Sequence, residues 1–225
     1  MPINHPSSAI EDYLDAIYNM KDEGKVVIAA RLAERLSVKP PTVSQTLRRM
    51  VRDGLITIAP DNEIHFTPEG KAIAEATIRR HRMLERFLTD ILGLEWAAAH
   101  EEAHRLQHSI SDLVEERLFK VLGQPTTCPH GNPIPGSGAP RLPKNAFTLN
   151  QAQAGQTVVV DRITEEGERD ARLLQYFQRN RLMPGVRFTV AEVAPWNETI
   201  ALSRDNETVI LGLKAARTIW VHLES

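Results

Sequence analysis

His100, His104 and His108, with Gln107 beside the last, stack on one face if that stretch is helical. His81 and Glu85 repeat the same four-residue spacing one helix earlier. A helix offers two donors to one cation in this way, and two such helices facing each other can close a site. Asp12 and Asp15, i and i+3 near the N-terminus, offer carboxylates from another helix. A single histidine on a helix is ordinarily polar surface. Three in register beside a His-x-x-x-Glu pair point to a bound metal.

His100-Glu101-Glu102-Ala103-His104 also matches H-E-x-x-H, the zinc-peptidase signature in which the glutamate is a general base. The extension of that motif fails: Gln107 stands where a glycine is required, and His108 comes early. Downstream, Glu115 and Glu116 are too near to serve well as a third ligand from another helix, and no substrate-binding strand precedes the motif. A zinc-dependent peptidase is therefore the weaker alternative, and no enzyme is expected. A protein whose metals are purely structural, and a metal-storage protein, are further rivals.

A second constellation lies nearer the N-terminus. Pro41-Thr42-Val43-Ser44-Gln45-Thr46-Leu47-Arg48-Arg49-Met50 reads as a helix opened by proline, whose missing N–H costs nothing in a first turn. Val43, Leu47 and Met50 share a buried face. Pro41, Thr42, Ser44, Gln45, Arg48, Arg49 and Arg52 fall outside it, with the acids expected elsewhere. The N-terminal part of a recognition helix meets base edges, while arginines and hydroxyls hold phosphates. Gln45 is the candidate reader of an adenine.

The elements that must carry these residues follow from periodicity. Ile10, Tyr13, Leu14, Ile17 and Tyr18 predict a first helix ending at Gly24. Val26-Val27-Ile28 is a short β-branched run, and Ala29 to Leu36 is a second helix. The recognition helix ends by Gly54, and Leu55–Ile58 with Ile64–Phe66 predict a hairpin. Helix, helix, turn, helix and hairpin are the pattern of a winged helix-turn-helix over residues 1–74.

Thr67-Pro68-Glu69 starts a long helix running to about Leu92, followed by helices over Glu95–His108 and from Ser109 or Ser111 to Leu122. Leu84, Phe87, Leu88, Ile91, Leu113, Leu118 and Val121 give these helices more apolar face than one small domain hides, which predicts a dimer. Residues 75–147 are thus a helical dimerisation and metal-binding domain. They end in a Pro- and Gly-rich linker from 124 that holds Cys128, here read as a non-ligand away from both donor clusters. Residues 148–225 carry short strands and one helix near Asp170–Arg181, which predicts a small β-barrel. The fold class expected is mainly α with β.

The totals agree with this reading. The chain has 225 residues, 42% hydrophobic and 25% charged, with a net charge of −2, so any DNA contact rests on a local patch. No apolar run reaches the roughly 20 residues of a membrane span, and Met1–His5 has no signal-peptide character. A single cysteine makes no intrachain disulfide and suits the cytoplasm.

Pro41–Thr46, Arg80-His81-Arg82 with Glu85-Arg86, His100–Ala103 and Gly131-Asn132-Pro133-Ile134-Pro135-Gly136 together resemble the diphtheria toxin repressor family of iron- and manganese-dependent regulators, over nearly the whole chain. The resemblance implies a winged helix, a dimerisation domain with two metal sites per subunit, an SH3-like C-terminal barrel, and metal-loaded homodimers that bind palindromic operators and control metal-homeostasis genes. It implies one site of His81, Glu85 and His100, completed from the barrel by Asp170; Leu173 stands where a glutamine ligand can lie. The other site is Asp12, His104, Gln107 and His108, with Asp15 at the place of a second acid. Asp12 stands for the methionine and His104 for the cysteine of the iron-sensing branch, and Gln107 stands for a glutamate. With no sulfur donor expected, imidazole, carboxylate and amide oxygen favour Mn²⁺ and admit Fe²⁺.

Overall fold

A computed structural model describes residues 6–139, 142–205 and 207–224. Met1–His5, expected to lack signal-peptide character, and Pro140 of the predicted linker lie outside the described residues. The chain divides into two compact units, 1–80 and 81–225.

In the first unit, α1 (Ser8–Asp22), α2 (Ala29–Leu36) and α3 (Pro40–Arg52) pack around Leu14, Ile17, Leu32, Val43, Leu47 and Met50. The antiparallel hairpin β1 (Ile56–Ile58) and β2 (Ile64–Phe66) follows, with Thr57 opposite His65. Val26–Ile28 forms no strand. Its β-branched run instead seats the fully buried Val27, whose carbonyl accepts from the Ile64 amide. Thr67 caps the helix α4 (Pro68–Arg86) by accepting from the Gly70 amide, as its Thr-Pro start predicts.

In the second unit, α4 passes into a π-helical turn over Phe87–Ile91, then α5 (Trp96–Leu106) and α6 (Asp112–Val121), which Ser111 caps. Leu84, Leu88, Ala99 and Ala103 form a small core there. None of α6 is fully buried, and Ile91, Leu92, Leu113, Val114 and Val121 are exposed.

The β-rich part holds β3 (Phe147–Thr148), β4 (Thr157–Ile163), α7 (Glu165–Glu168), α8 (Ala171–Arg179), β5 (Arg187–Ala194), β6 (Thr199–Arg204), β7 (Glu207–Gly212), α9 (Leu213–Ala216) and β8 (Ile219–Leu223). Among the described residues the sheet is antiparallel, in the order β3-β8-β4-β5-β6-β7. Register shifts at Val160/Arg162 and Val190/Glu192 mark the bulges that bend such a small SH3-like sheet. Trp96 and Ala97 of α5 enter its core beside Phe177 and Phe188, so helices and sheet share one unit.

Residues 124–137, read as a linker, are an ordered loop. The Cys128 amide donates to the Asn132 carbonyl, the Ile134 amide to the Thr126 carbonyl, and Thr127 bridges Pro133. Arg82 and Arg86 of α4 donate to the Pro133 and Thr127 carbonyls, while the Ile163 amide of β4 donates to the His130 carbonyl. Gly131 has φ +89°, and a Cβ there would overlap the Asp161 carbonyl oxygen. Only glycine meets both demands, so the loop closes directly onto β4.

Candidate metal centre

The helical spacing places His81 and Glu85 one turn apart on α4, and His100 on the facing side of α5. Glu85 is fully buried and sits at the centre: its Oε1 lies 2.8 Å from His100 Nδ1 and 3.1 Å from His81 Nε2, and the two imidazoles are 3.3 Å apart. Glu168, at the end of α7, completes this set. Asp170, expected from the barrel, is exposed and accepts from the Arg172 and Leu173 amides as the cap of α8. Two residues along a short helix and turn separate an inward carboxylate from a capping one. Nothing periodic in that stretch tells them apart.

Gln107 is buried at the end of α5. Its Oε1 lies 2.7 Å from His81 Nδ1 and its Nε2 3.1 Å from His108 Nε2. A proton on His81 Nδ1 satisfies that oxygen, and in the neutral ring it leaves Nε2, which faces Glu85 and His100, open to a cation. In this role the amide orients two imidazoles, as the outer partners of metal-bound histidines do. The His104 ring lies 6.5 Å from that of His81 and 6.2 Å from that of His108. Asp12 and Asp15 lie half-buried on α1 of the first unit, where the Asn19 amide donates to Asp15.

Two participants escaped the sequence reading. Cys128, placed away from the clusters on sequence, is fully buried with its Sγ 3.7 Å from His130 Nδ1. His130 is fully buried too, 3.2 Å from Glu168 Oε1 and 3.5 Å from Glu85 Oε1, with the Trp96 ring against it edge-on. The one signal was a cysteine and a histidine two residues apart, both of types that ligate metals.

Burial alone raises the Glu85 carboxyl, yet His81, His130 and His100 hold it well below the usual carboxylate range. Burial alone lowers His130, but Glu168 and Glu85 raise it well above the usual imidazole value. His100 is raised against its burial by the Glu85 hydrogen bond. Burial and the two carboxylates push the Cys128 thiol up to about 11. Without a cation, protons must hold these charges together. Donor atoms of His81, His100 and Glu85 converge on one place, and Glu85 Oε2 is buried with no hydrogen-bond partner. The donor set is therefore one that a divalent cation fits.

Glu101, the general base of a peptidase reading, is exposed and lies 3.8 Å from Arg105. His100 faces Glu85 and Glu168 instead of forming a catalytic pair with it. In the first unit, Pro41, Thr42, Ser44, Gln45, Arg48 and Arg49 are all exposed on α3, and Gln45, Arg48, Arg49 and Arg52 line an open groove with Ser7 and Ile10. Arg49 and Arg52 lie 3.5 and 3.2 Å from Asp53, so one acid does stand among the arginines.

Residues 5–64 match the family model described as iron-dependent repressor, N-terminal DNA-binding domain. Residues 67–136 match its metal-binding and dimerisation domain, and residues 147–223 match the FeoA domain. The iron-dependent repressor IdeR of Mycobacterium leprae is 40% identical over 220 residues, 94% of this chain and 95% of that one. The diphtheria toxin repressor of Corynebacterium efficiens is 53% identical over 126 residues, 56% of this chain and 55% of that one. A solved manganese-dependent transcriptional repressor in complex with manganese is 34% identical, with TM-score 0.84, covering 96% of this chain and 100% of that one. No helix among the described residues is long and apolar enough to cross a membrane.

Proposed function

Because the chain belongs to the iron-dependent repressor family, we propose that it represses metal-homeostasis genes in the cytoplasm by binding palindromic operator DNA as a metal-loaded homodimer. One observation carries this reading: His81, Glu85, His100 and Glu168, from α4, α5 and α7, converge in a buried cluster in a chain that also presents an exposed recognition helix. The division proposed is 1–74 for DNA reading, 75–147 for dimerisation and metal, and 148–225 for the SH3-like domain. The exposed Ile91, Leu113 and Val121 suit a face covered by a second copy.

The bound cation supplies positive charge that replaces the protons of the cluster. His81, His100, Glu85 and Glu168 hold it, and Gln107 keeps His81 in the ligating tautomer. A second donor set, Asp12, Asp15, His104, Gln107 and His108, is proposed on its sequence pattern, giving two sites per subunit. Asp12 and Asp15 sit on the element that opens the DNA-binding unit, so ligation there couples occupancy to the spacing of two recognition helices. Imidazole and carboxylate favour Mn²⁺, with Fe²⁺ as the alternative.

Thr42, Ser44, Gln45 and Arg48 meet the DNA, with Gln45 toward base edges and Arg48 toward phosphate. Fluorescence anisotropy with the gene's own upstream DNA, titrated anaerobically with Mn²⁺, Fe²⁺ and Zn²⁺, tests the reading. Tight binding that needs the cation, and that Asp12→Ala blunts without unfolding the chain, is expected. Equal affinity in excess chelator overturns it.

A further inference from the structure

Glu85 belongs to two groups of donors, His81–Glu85–His100–Glu168 and Glu85–Cys128–His130, each with its ligand atoms within 4.8 Å of one another. A first-row cation holds nitrogen, oxygen and sulfur about 2.0–2.3 Å away, so the donors of one ion lie within roughly 4.6 Å of each other. The described donors gather at about that scale, within 4.8 Å, as two sets and not as one. Glu168 faces both ways: its Oε2 lies 3.7 Å from His100 Nδ1 and its Oε1 3.2 Å from His130 Nδ1. Glu85 has one oxygen on the histidines and a second, Oε2, buried and without a hydrogen-bond partner.

We propose that this cluster is a dinuclear centre with two unlike positions, one faced by His81 and His100 and the other by Cys128 and His130, with the Glu85 and Glu168 carboxylates between them. The inference rests on the metal-binding reading above and extends it to the number and kind of ions. Two carboxylates and a thiolate around a single divalent ion leave excess negative charge in a buried place; two divalent ions absorb it. The loop bearing the second pair is built in advance. The Cys128–Asn132 turn, the Ile163 amide on the His130 carbonyl, and Gly131 packed on the Asp161 carbonyl all fix it against β4. Glu168 also accepts from the Asn132 amide, which holds that carboxylate between the two histidines. The chemistry of the positions differs: imidazole and carboxylate suit Mn²⁺ or Fe²⁺, while a thiolate draws Zn²⁺, Co²⁺ or Fe²⁺.

Cobalt distinguishes the positions in the full-length chain. Metal-stripped protein, titrated anaerobically with Co²⁺, is read by absorption and, after gel filtration, by metal analysis. Wild type is expected to show thiolate-to-cobalt charge-transfer absorption in the near ultraviolet. Cys128→Ser should lose that band and retain about one equivalent fewer cobalt per chain. His100→Ala, made in parallel, should keep the band, because its loss touches the other position. The proposal is overturned by no band in wild type, by equal cobalt content in wild type and Cys128→Ser, or by loss of the band in His100→Ala, which marks one shared ion. Circular dichroism confirms that each variant is folded, and Cys128→Ala repeats the measurement should the serine variant not fold. Cation-dependent operator binding is a separate readout, so failure of the dinuclear centre and failure of the repressor reading are told apart.

Discussion

Replacing Glu85 by glutamine removes one buried charge and almost no volume, so its cost in metal-free protein measures the electrostatics of the cluster directly. Glu85 is fully buried, with the imidazoles of His100, His81 and His130 at 2.8, 3.1 and 3.5 Å. Removing one partner of a buried ion pair costs about 3–5 kcal/mol, because the other charge is left uncompensated. Glu168 still faces His130 in the variant, which places the loss at the lower end, about 3 kcal/mol, or roughly a hundredfold in the folded-to-unfolded ratio. The acidity pattern fixes the pH dependence. The folded Glu85 value is depressed, so its contribution is full above the unfolded carboxylate value and is lost as pH falls through the folded one. The folded His130 value is raised, so its contribution is full below the unfolded imidazole value and is lost as pH rises through the folded one. The gap between wild type and Glu85→Gln should therefore be widest near neutrality and narrow toward both strong acid and alkali. Urea unfolding in excess chelator, followed by tryptophan fluorescence, is the assay. Trp96, Trp196 and Trp220 all lie in the second unit, so the signal reports on the unit that holds the cluster. A difference under about 0.5 kcal/mol at pH 7, with unchanged dependence on urea, would refute the reasoning.

Gln107→Leu removes the acceptor that sets the His81 tautomer; metal affinity measured by competition with a chromophoric chelator should fall about 10–100-fold. Gly131→Ala forces a side chain into φ +89° and onto the Asp161 carbonyl. It should lower the thermal midpoint of the second unit by several degrees or more, with a cost of about 1–3 kcal/mol; an unchanged midpoint would show that the loop is not clamped. On DNA, Arg48→Ala should weaken all sequences alike and reduce the salt slope by about 1, whereas Gln45→Ala should cost about 1–3 kcal/mol at one base position and relax preference there. Anisotropy against single-base operator variants at several salt concentrations separates the two.

Sequence by itself determined whatever depends on regular spacing. Val43, Leu47 and Met50 are buried, Gln45 and Arg48 are exposed, and His81 and Glu85 share one helix face, because a helix repeats every 3.6 residues wherever the chain later goes; that His100 joins them was implied by the family resemblance. The capped start of α4 at Thr67 was legible for the same local reason. Tertiary structure alone decided the rest. Cys128 and His130 lie in a Pro- and Gly-rich stretch without a period, which reads as a linker until Arg82, Arg86 and Ile163 fasten it down. Glu168 rather than Asp170 turns inward because α7 packs its end against that loop, where Asn132 donates to the carboxylate. Gln107 serves His81 because the two helices meet there. Local periodicity fixes which face a side chain takes on a regular element. In an irregular segment the backbone dihedrals are set by contacts far along the chain, and no neighbouring residues record them.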